Sequence, residues 1–286
     1  MKHNDTAFLS VVYPKMRPFI ENFFRSLQNQ SDLSFDLIIA NDGFGSLKQL
    51  LQEFSQLNII ELNIQGTPAH IRNKAIEFIY FQKYKYLILG DSDDYFEHNR
   101  VEVIKKLLMT HDIIVNDFDL VTQDNRTIKQ SYLSNRFNDK YAISINDIIN
   151  YNFLGLTNTA LKTKLLKDLN VSDRIIAYDW FLFSWVILKH NANAVFTNQT
   201  KTFYRQHHFS TIGFGEIEIK LEEFVARAQL KLVHYEEMAK IDVSYRSIYL
   251  RYKESYQEIV EQKEKLYQKY TRQVENILAP LWWEGL

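Results

Sequence analysis

Three carboxylates follow a short apolar run near the end of the first hundred residues. Residues 87–89 have the length and character of a buried strand, and Asp91, Asp93 and Asp94 come directly after it. Carboxylates this close repel one another and are costly to desolvate unless a cation lies among them. Mg²⁺ and Mn²⁺ take oxygen ligands and often share them with substrate phosphates. Asp91 and Asp93 are therefore candidate ligands of one divalent ion, with a solvated acidic turn as the alternative.

The segments before this turn alternate between apolar strands and amphipathic helices. Strands are predicted at residues 8–13, 35–40, 58–62 and 87–89, and helices at 17–28, at 47–57 and from 67 onward. This alternation is typical of an α/β fold with a doubly wound, mostly parallel sheet and helices on both faces. Right-handed crossovers bring the C-terminal ends of such strands to one edge, where ligands bind. We therefore expect Asp42, which follows the second strand, on the same rim as Asp91 and Asp93.

The second half of the chain continues this pattern and then changes character. Helices are predicted at 99–109, from 144 and at 178–189, strands at 112–115 and 194–196, an irregular segment or hairpin at 118–139, and a mixed segment at 157–169. Beyond residue 216, alternating charges and helical periodicity predict two or three helices. We therefore divide the chain into a main domain at 1–216, with halves of about 1–115 and 116–216, and a helical extension at 217–286.

Composition excludes several classes of protein. The net charge of -1 gives no electrostatic reason to expect a nucleic-acid partner, and the absence of cysteine excludes disulfides and thiolate nucleophiles. No apolar run approaches the roughly 20 residues of a membrane span, and the N-terminus has no apolar signal-peptide core. Glycine-rich dinucleotide loops, P-loops and the Gly-x-Ser-x-Gly elbow are also absent from the sequence. These features predict a cytoplasmic protein, with association at the inner face of the membrane left open.

Seven segments are similar, in order, to motifs of the family-2 glycosyltransferases, which have the GT-A fold. They are residues 10–14, 38–43, 66–73, 89–94, 158–160, 178–180 and 204–207. Several such motifs together are specific where any one would be weak, and the resemblance covers about residues 7–213. Two departures stand out, because Asn41 replaces the commoner acid and Tyr178 occupies a position where many relatives have Glu.

The resemblance implies donor-binding roles for residues of the first half. Asp42 would bind the base or ribose of a nucleotide, with the backbone around Tyr13 and Pro14 beside it. Arg72 would meet the nucleotide or its phosphates. Asp91 would hold the ribose or a metal-bound water. With Asn41 in place of an acid, recognition of the base is left to Asp42.

The same resemblance implies a metal site and a catalytic base. Asp93, with Asp91 and His207, would hold Mn²⁺ or Mg²⁺, and Asp179 would be the base. Asp179 could equally be a carboxylate that stabilises a helix N-terminus, and His207 an ordinary surface histidine. Its neighbour His208 diverges from it, so we expect at most one of the two to point inward. Tyr204 and Arg205 could also form a cation–aromatic pair that only stabilises the fold.

Taken together, the resemblance implies a metal-dependent, inverting glycosyltransferase. It would use a nucleotide-diphosphate sugar, with UDP-sugar as the expected donor, and a saccharide or lipid-linked acceptor in surface-glycan synthesis. A sugar nucleotidyltransferase would share the sheet and a metal-binding Asp, but residues 13–17 lack the glycine-rich loop expected after its first strand. A catalytically silent scaffold of the same fold is the other alternative. Trp282 and Trp283 are expected to need a covering surface, which docking back onto the main domain would provide. A homodimer or peripheral membrane association through the C-terminal helices is the alternative.

Overall fold

The structure is a computed structural model that describes residues 4–207 and 220–274, with side chains described through residue 272. Its first part alternates strand and helix as the periodicity predicts. The elements are β1 (Thr6–Val12), α1 (Ile20–Gln28), β2 (Asp36–Asn41), α2 (Lys48–Glu53), β3 (Asn58–Asn63), α3 (Pro68–Phe81) and β4 (Tyr86–Leu89). Helix α2 is shorter than predicted and ends before Phe54, whose buried ring stacks on that of Phe24 at 5.3 Å.

The second part is less regular. Its elements are β5 (Tyr95–Phe96), α4 (Arg100–Leu108), β6 (Ile113–Thr122), β7 (Thr127–Lys129), β8 (Ala142–Ile143), α5 (Ile145–Ile148), β9 (Thr159–Lys162), α6 (Tyr178–His190) and β10 (Ala194–Gln206). Strands β6 and β7 pair antiparallel, so residues 118–139 contain the hairpin that was one of the two predictions. The strand predicted at 194–196 is wrong in length, because β10 continues for ten more residues. Its threonines at 197, 200 and 202 are nevertheless buried, and the Thr202 hydroxyl donates to the Thr157 carbonyl at 3.0 Å.

One mixed sheet contains all ten of these strands, and its main order is β3-β2-β1-β4-β9-β6-β10-β5. Strands β1 to β4 run parallel, and β10 runs parallel to β6. Strand β9 lies antiparallel between β4 and β6. The predicted α/β fold with a mostly parallel sheet is confirmed, while the antiparallel β9 comes from the segment whose pattern was mixed.

Helices cover both faces of the sheet, as a doubly wound fold requires. Alternate residues of β1 point to opposite faces, so that Ala7 and Leu9 join one apolar core and Phe8 joins the other. The core on the side of Ala7 is completed by α3 and α6. The core on the side of Phe8 is completed by α1 and α4. These two layers hold the C-terminal ends of β1, β2 and β4 at one edge.

Three further helices follow the sheet domain, as predicted for the C-terminal extension. They are α7 (Leu221–Ala239), α8 (Ser244–Glu261) and α9 (Lys263–Val274). Helix α7 packs on α6, where the buried His234 ring stacks on the Trp180 indole at 3.9 Å. The Tyr235 hydroxyl donates to the Ile149 carbonyl at 3.0 Å, and Arg174 forms an ion pair with Glu237 at 2.8 Å. The extension is therefore joined to the main domain through side chains next to Asp179.

The part of the chain that the structure describes contains no helix with both the length and the apolar character needed to cross a bilayer. The predicted domain boundary at 216/217 and the expected covering of Trp282 and Trp283 lie outside the described residues. Both stay predictions.

Gly90 is the point where β4 turns toward the carboxylates, and no other residue type fits there. A Cβ at this position would lie 2.6 Å from ring atoms of both Phe8 and Phe96. The two rings are fully or almost fully buried and pack edge to face at 5.3 Å, so neither has free space to move into.

We expect Gly90→Ala to lower the free energy of unfolding by about 1–3 kcal/mol, the usual cost of overpacking a core. Urea denaturation of Gly90→Ala, Phe96→Leu and the double variant measures this. If the steric account is right, the double variant loses less stability than the sum of the two single losses. Strict additivity would contradict the account.

Candidate active site

The acidic turn after β4 is fastened to the neighbouring strand β1. Ser92 is buried, and its hydroxyl donates to the Val11 carbonyl at 2.7 Å. The Asp94 backbone N–H donates to the Asp91 carbonyl at 3.2 Å. These bonds hold Asp91, Asp93 and Asp94 at the sheet edge where the sequence places them.

A buried arginine lies beneath these carboxylates. Arg100, in the first turn of α4, is fully buried and donates to the carbonyls of Leu89 and Thr157 at 2.8 and 2.9 Å. Its Nε donates to the Asn116 amide oxygen at 2.9 Å, and its guanidinium lies 4.5 Å from the Phe96 ring centroid. The cation is thus fixed by the backbone ends of two segments that border the site.

The carboxylates nevertheless retain uncompensated negative charge. Burial, followed by the charge of Asp93, raises the pKa of Asp91 to about 7, although Arg72 and Arg100 act to lower it. Burial, then Asp93 and Asp91, also raises the pKa of Asp94 well above its ordinary value. One Asp94 oxygen accepts a bond from the Arg205 backbone N–H at 2.7 Å, and the other is buried without a hydrogen-bond partner. The site therefore favours a cation.

The end of β10 contributes a histidine to the same turn. His207 Nε2 lies 2.9 Å from the Asp93 carboxylate, and its ring stacks on Phe19 at 4.4 Å. Its side chain is fully buried, so it points inward and is not a surface histidine. His208 lies outside the described residues.

Arg205 clamps the turn from the other side. Its guanidinium donates to the Asp93 carbonyl at 2.5 Å and to the Asn125 amide oxygen at 2.7 Å. The guanidinium lies against the rings of Phe19 and Tyr95, at 4.9 and 5.3 Å. The prediction of a cation held against an aromatic ring therefore fits Arg205, but its partners in the described contacts are these two rings and not Tyr204.

The available donors fit a divalent ion that is shared with a substrate. Among the described residues, no three His, Asp or Glu side chains are close enough to hold a metal ion by themselves. Asp93 and His207 do meet, and Asp91 carries unmet negative charge on the same turn. Mg²⁺ sites often use only one or two carboxylates and complete the shell with water and substrate phosphates. Asp93, Asp91 and His207 are the side chains that would hold such an ion.

Asp179 lies in the first turn of α6, and its Oδ1 accepts a bond from the Trp180 backbone N–H at 2.8 Å. Its charge contributes to the raised pKa of Asp91, so the two carboxylates are close. Burial raises the pKa of Asp179 to about 6, whereas the Trp180 bond and the Arg72 charge act to lower it. A carboxylate with this pKa is ionised at neutral pH and remains a useful proton acceptor. It also stabilises the helix N-terminus, so the two predicted roles are compatible.

Arg72 lies between the two carboxylates, in the first turns of α3. Its charge lowers the pKa of both Asp91 and Asp179, and its buried Nε has no hydrogen-bond partner. The guanidinium lies 5.9 Å from the centroid of the Tyr178 ring. Tyr178 is buried, and its hydroxyl donates to the Asn73 amide oxygen at 3.0 Å. The residue that replaces Glu here therefore supports Arg72 and connects α6 to α3.

The predicted nucleotide residues of the first strands form a neighbouring rim. The Asp42 backbone N–H donates to the Val12 carbonyl at 2.8 Å, which places Asp42 beside Tyr13. Burial, and then Asp93 and Asp91, raise the pKa of Tyr13 to about 12, so its hydroxyl stays protonated next to the acidic turn. Pro14 begins a short 3₁₀ turn after β1.

Asn41, the departure from the commoner acid, holds the loop that follows β2. Its side-chain amide donates to the Gly45 carbonyl at 2.9 Å and to Glu61 at 2.5 Å. Its oxygen accepts from the Phe44 backbone N–H at 2.8 Å. Asn41 is therefore occupied with shaping the loop, and the partly exposed Asp42 is the side chain left to face a ligand.

Tyr204 is a site residue that the sequence did not predict in this role. Burial raises the pKa of its hydroxyl well above the ordinary value, and the charges of Asp94, Asp91, Asp93 and Asp179 add to the effect. Tyr204 therefore lies within the electrostatic field of these four carboxylates. If β10 kept one register from residue 194, the sequence would indicate which of its side chains face this edge. The register instead shifts between Thr197 and Lys201.

The fold is similar to that of solved structures of S. aureus TarS. Sequence identities of 18–19% mean that this similarity shows the fold alone. The TarS 1-349 structure is 19% identical with a TM-score of 0.58, and the match covers 80% of this chain and 65% of that one. The TarS 1-349 complex with UDP-GlcNAc is 18% identical with a TM-score of 0.59, covering 80% and 66%. The chain thus spans about two thirds of the length of these TarS fragments.

Comparison of sequences gives the family. No curated protein matches the chain significantly. The sequence model of Glycosyl transferase family 2 matches residues 10–169, which is more than half of the 286 residues. The matched segment begins within β1, contains the acidic turn and ends after β9. The chain belongs to glycosyl transferase family 2, a family of glycosyltransferase enzymes.

Proposed function

We propose that this protein is a metal-dependent, inverting glycosyltransferase that moves a sugar from a nucleotide-diphosphate donor to a saccharide or lipid-linked acceptor in surface-glycan synthesis. One observation carries the proposal. Asp91 and Asp93 at the end of β4, Asp179 at the start of α6 and the Arg72 cation meet at one sheet edge. Two of these carboxylates sit beside a cation that is suited to phosphate, and the third has the pKa of a proton acceptor.

A uridine nucleotide is the donor that the comparisons favour. TarS, which shares the fold, has been solved in complexes with UDP and with UDP-GlcNAc. In this chain the rim formed by Tyr13, Pro14 and Asp42 is next to the acidic turn, so a base and ribose bound there would direct the diphosphate toward Asp93 and Arg72. The partly exposed Asp42 would accept hydrogen bonds from the base or ribose.

Departure of the diphosphate requires that its negative charge be neutralised. A divalent ion held by Asp93, Asp91 and His207 would supply Lewis-acid stabilisation of the leaving group. Arg72 adds a positive charge that acts on both Asp91 and Asp179 and would attract the diphosphate. Arg100 and Arg205 stay beneath the turn and keep the carboxylates in position.

Asp179 would remove the proton from the attacking acceptor hydroxyl. The acceptor oxygen then forms a bond to the anomeric carbon while the bond from that carbon to the diphosphate oxygen breaks, and the proton remains on Asp179. Attack from the face opposite the leaving group inverts the configuration. The Tyr204 hydroxyl stays protonated in the field of the four carboxylates and could donate a hydrogen bond there.

The alternatives have less support. A sugar nucleotidyltransferase would need a glycine-rich loop after β1, where this chain instead has the 3₁₀ turn Pro14–Met16. A silent scaffold would not need to bury several carboxylates with raised pKa in one cleft, because unpaired buried charge costs stability. Cytoplasmic location stays a prediction of the sequence.

We expect Asp93→Ala to abolish the divalent-ion-dependent part of donor binding while the fold is retained, because removing one of several crowded carboxylates relieves repulsion. Thermal shift with UDP-GlcNAc, with and without Mn²⁺, measures this. Asp173→Ala, which removes an exposed carboxylate at position 173, is the control and should behave as wild type. Unchanged Mn²⁺-dependent donor binding in Asp93→Ala would contradict the assignment of Asp93 as a metal ligand.

Asp179→Asn keeps the side-chain shape but removes the proton acceptor, so we expect kcat to fall by about 10²–10⁴-fold with donor binding retained. Single-turnover transfer assays and donor titrations separate the two quantities. Asp147→Asn is the matched control, since Asp147 caps α5 through Ser144. Near wild-type transfer by Asp179→Asn would show that another group is the base.

The pH profile gives an independent check on the base. Because burial raises the pKa of Asp179 to about 6, we expect kcat/KM for transfer to decline as pH falls through about 6, well above the range of an ordinary carboxylate. The acidic limb should disappear from the residual activity of Asp179→Asn. If Asp179→Asn shows the same decline of kcat/KM at low pH, the group whose titration causes that decline is not Asp179.

A further inference from the structure

A groove lies at the edge of the sheet opposite the candidate active site. It has a volume of about 880 Å³ and is formed where α3 and α4 end, where β4 begins and where β9 ends. Tyr86, the first residue of β4, pairs there with Lys162, the last residue of β9, whereas Asp91 follows the other end of β4. Helix α3 connects the two edges, and its 14 residues span about 21 Å at 1.5 Å per residue.

The groove is strongly cationic. Within the described part of the chain, no carboxylate lines it, and its five charged lining residues are Lys83, Lys85, Lys162, Lys164 and Lys167. Asp112 lies outside the lining, 3.1 Å from the Lys162 ammonium and 3.9 Å from that of Lys164. Asp5 also contributes to the electrostatic environment of Lys85. Glu77 and Asp168 line the adjoining pocket, which shares Phe81 and Lys167 with the groove. The five lysines still outnumber these four neighbouring carboxylates, so the face carries a net positive charge on a protein whose overall charge is -1.

Large apolar side chains stand exposed in the same groove. Phe81, the last residue of α3, is 68% exposed, and Met109, which follows α4, is 72% exposed. They are two of the most exposed large apolar side chains in the described residues. Apolar groups surrounded by lysines are the composition of a surface that lies in a membrane interface, where the apolar side chains enter the acyl boundary and the lysines meet lipid phosphates.

We infer that this face, which we call the lysine groove and define by Phe81, Met109 and the five lysines, docks on an anionic lipid bilayer. Charge complementarity favours anionic phosphates over a second copy of the chain, because two such faces would repel each other. A soluble polyanion would satisfy the lysines but would offer no apolar phase to Phe81 and Met109. The inference goes beyond the proposed function and does not depend on it, because the groove lies at the far edge of the sheet.

Co-sedimentation with vesicles of phosphatidylcholine and phosphatidylglycerol, compared with phosphatidylcholine alone, tests this. We expect wild-type protein to bind only the anionic vesicles and to lose binding at high salt. Lys164→Gln with Lys167→Gln should weaken partitioning about 25-fold, since each lysine near an anionic surface contributes about a fivefold factor. Phe81→Ser with Met109→Ser should also weaken it, because binding strength scales with buried apolar area.

Matched variants on the C-terminal helices distinguish this face from the other surface considered for membrane association. Lys253→Gln with Lys265→Gln, and Val243→Ser with Leu250→Ser, change exposed residues of the same types on or beside α8 and α9. We expect both pairs to bind vesicles like wild type. Melting temperature and UDP-GlcNAc binding should be unchanged in all four variants, which separates this test from any failure of the proposed function.

Three outcomes would overturn the inference. The first is wild-type protein that does not bind anionic vesicles. The second is vesicle binding that the groove variants retain or that only the C-terminal variants lose. The third is binding that depends on Lys164 and Lys167 but not on Phe81 and Met109, together with binding of soluble polyphosphate, because this would make the groove a site for a soluble polyanion.

Discussion

The site depends on a buried cation beneath a buried acidic turn. Asp91 and Asp94 could not both be held at the end of β4 without positive charge nearby, and Arg100 provides it from the start of α4. The guanidinium is fixed by the carbonyls of Leu89 and Thr157, so it joins β4 to the segment before β9. Burial lowers the pKa of Arg100 to about 9, while the two carboxylates favour its charged form. The arginine therefore stays a cation at neutral pH.

This compensation is incomplete, and the incompleteness is functional. If Arg100, Arg72 and Arg205 neutralised the turn fully, Asp91 would have an ordinary pKa and little affinity for a further cation. Instead burial, followed by the charge of Asp93, raises its pKa to about 7, so a nearby positive charge would favour its ionised form. The same electrostatic field reaches Asp179 and Tyr204, which come from α6 and β10. Residues far apart in the sequence thus respond to one local charge imbalance.

The sequence predicted what depends on local pattern and missed what depends on tertiary contacts. Short apolar runs ending in Asp42 and Asp91 were enough to place strands and their C-terminal edge, because side-chain burial in a parallel sheet imposes a readable pattern. The sequence around Arg100 predicts only an amphipathic helix, because no neighbouring residue indicates that its guanidinium reaches under β4. Strand β10 extends beyond the residues predicted for it, because its buried threonines look like loop residues until their hydrogen-bond partners are known.

The role of one residue that departs from the family's motifs also depends on tertiary contacts. Tyr178, which occupies a position where many relatives have Glu, contacts Arg72 with its ring and Asn73 with its hydroxyl. Its pairing partner lies about a hundred residues earlier in the chain, on α3. No spacing rule connects the two positions, so only the fold could show that the tyrosine supports Arg72.

Gly90 restricts how this turn can evolve. A side chain at position 90 would need space that the rings of Phe8 and Phe96 already fill, so these three positions cannot vary independently. A lineage could replace the glycine only after one ring had become smaller, and a smaller ring would leave a cavity until the replacement arrived. Each single step is therefore selected against, although the two-step product could be stable. Among relatives, we expect a side chain at the position of Gly90 to occur together with a residue smaller than phenylalanine at one of the other two.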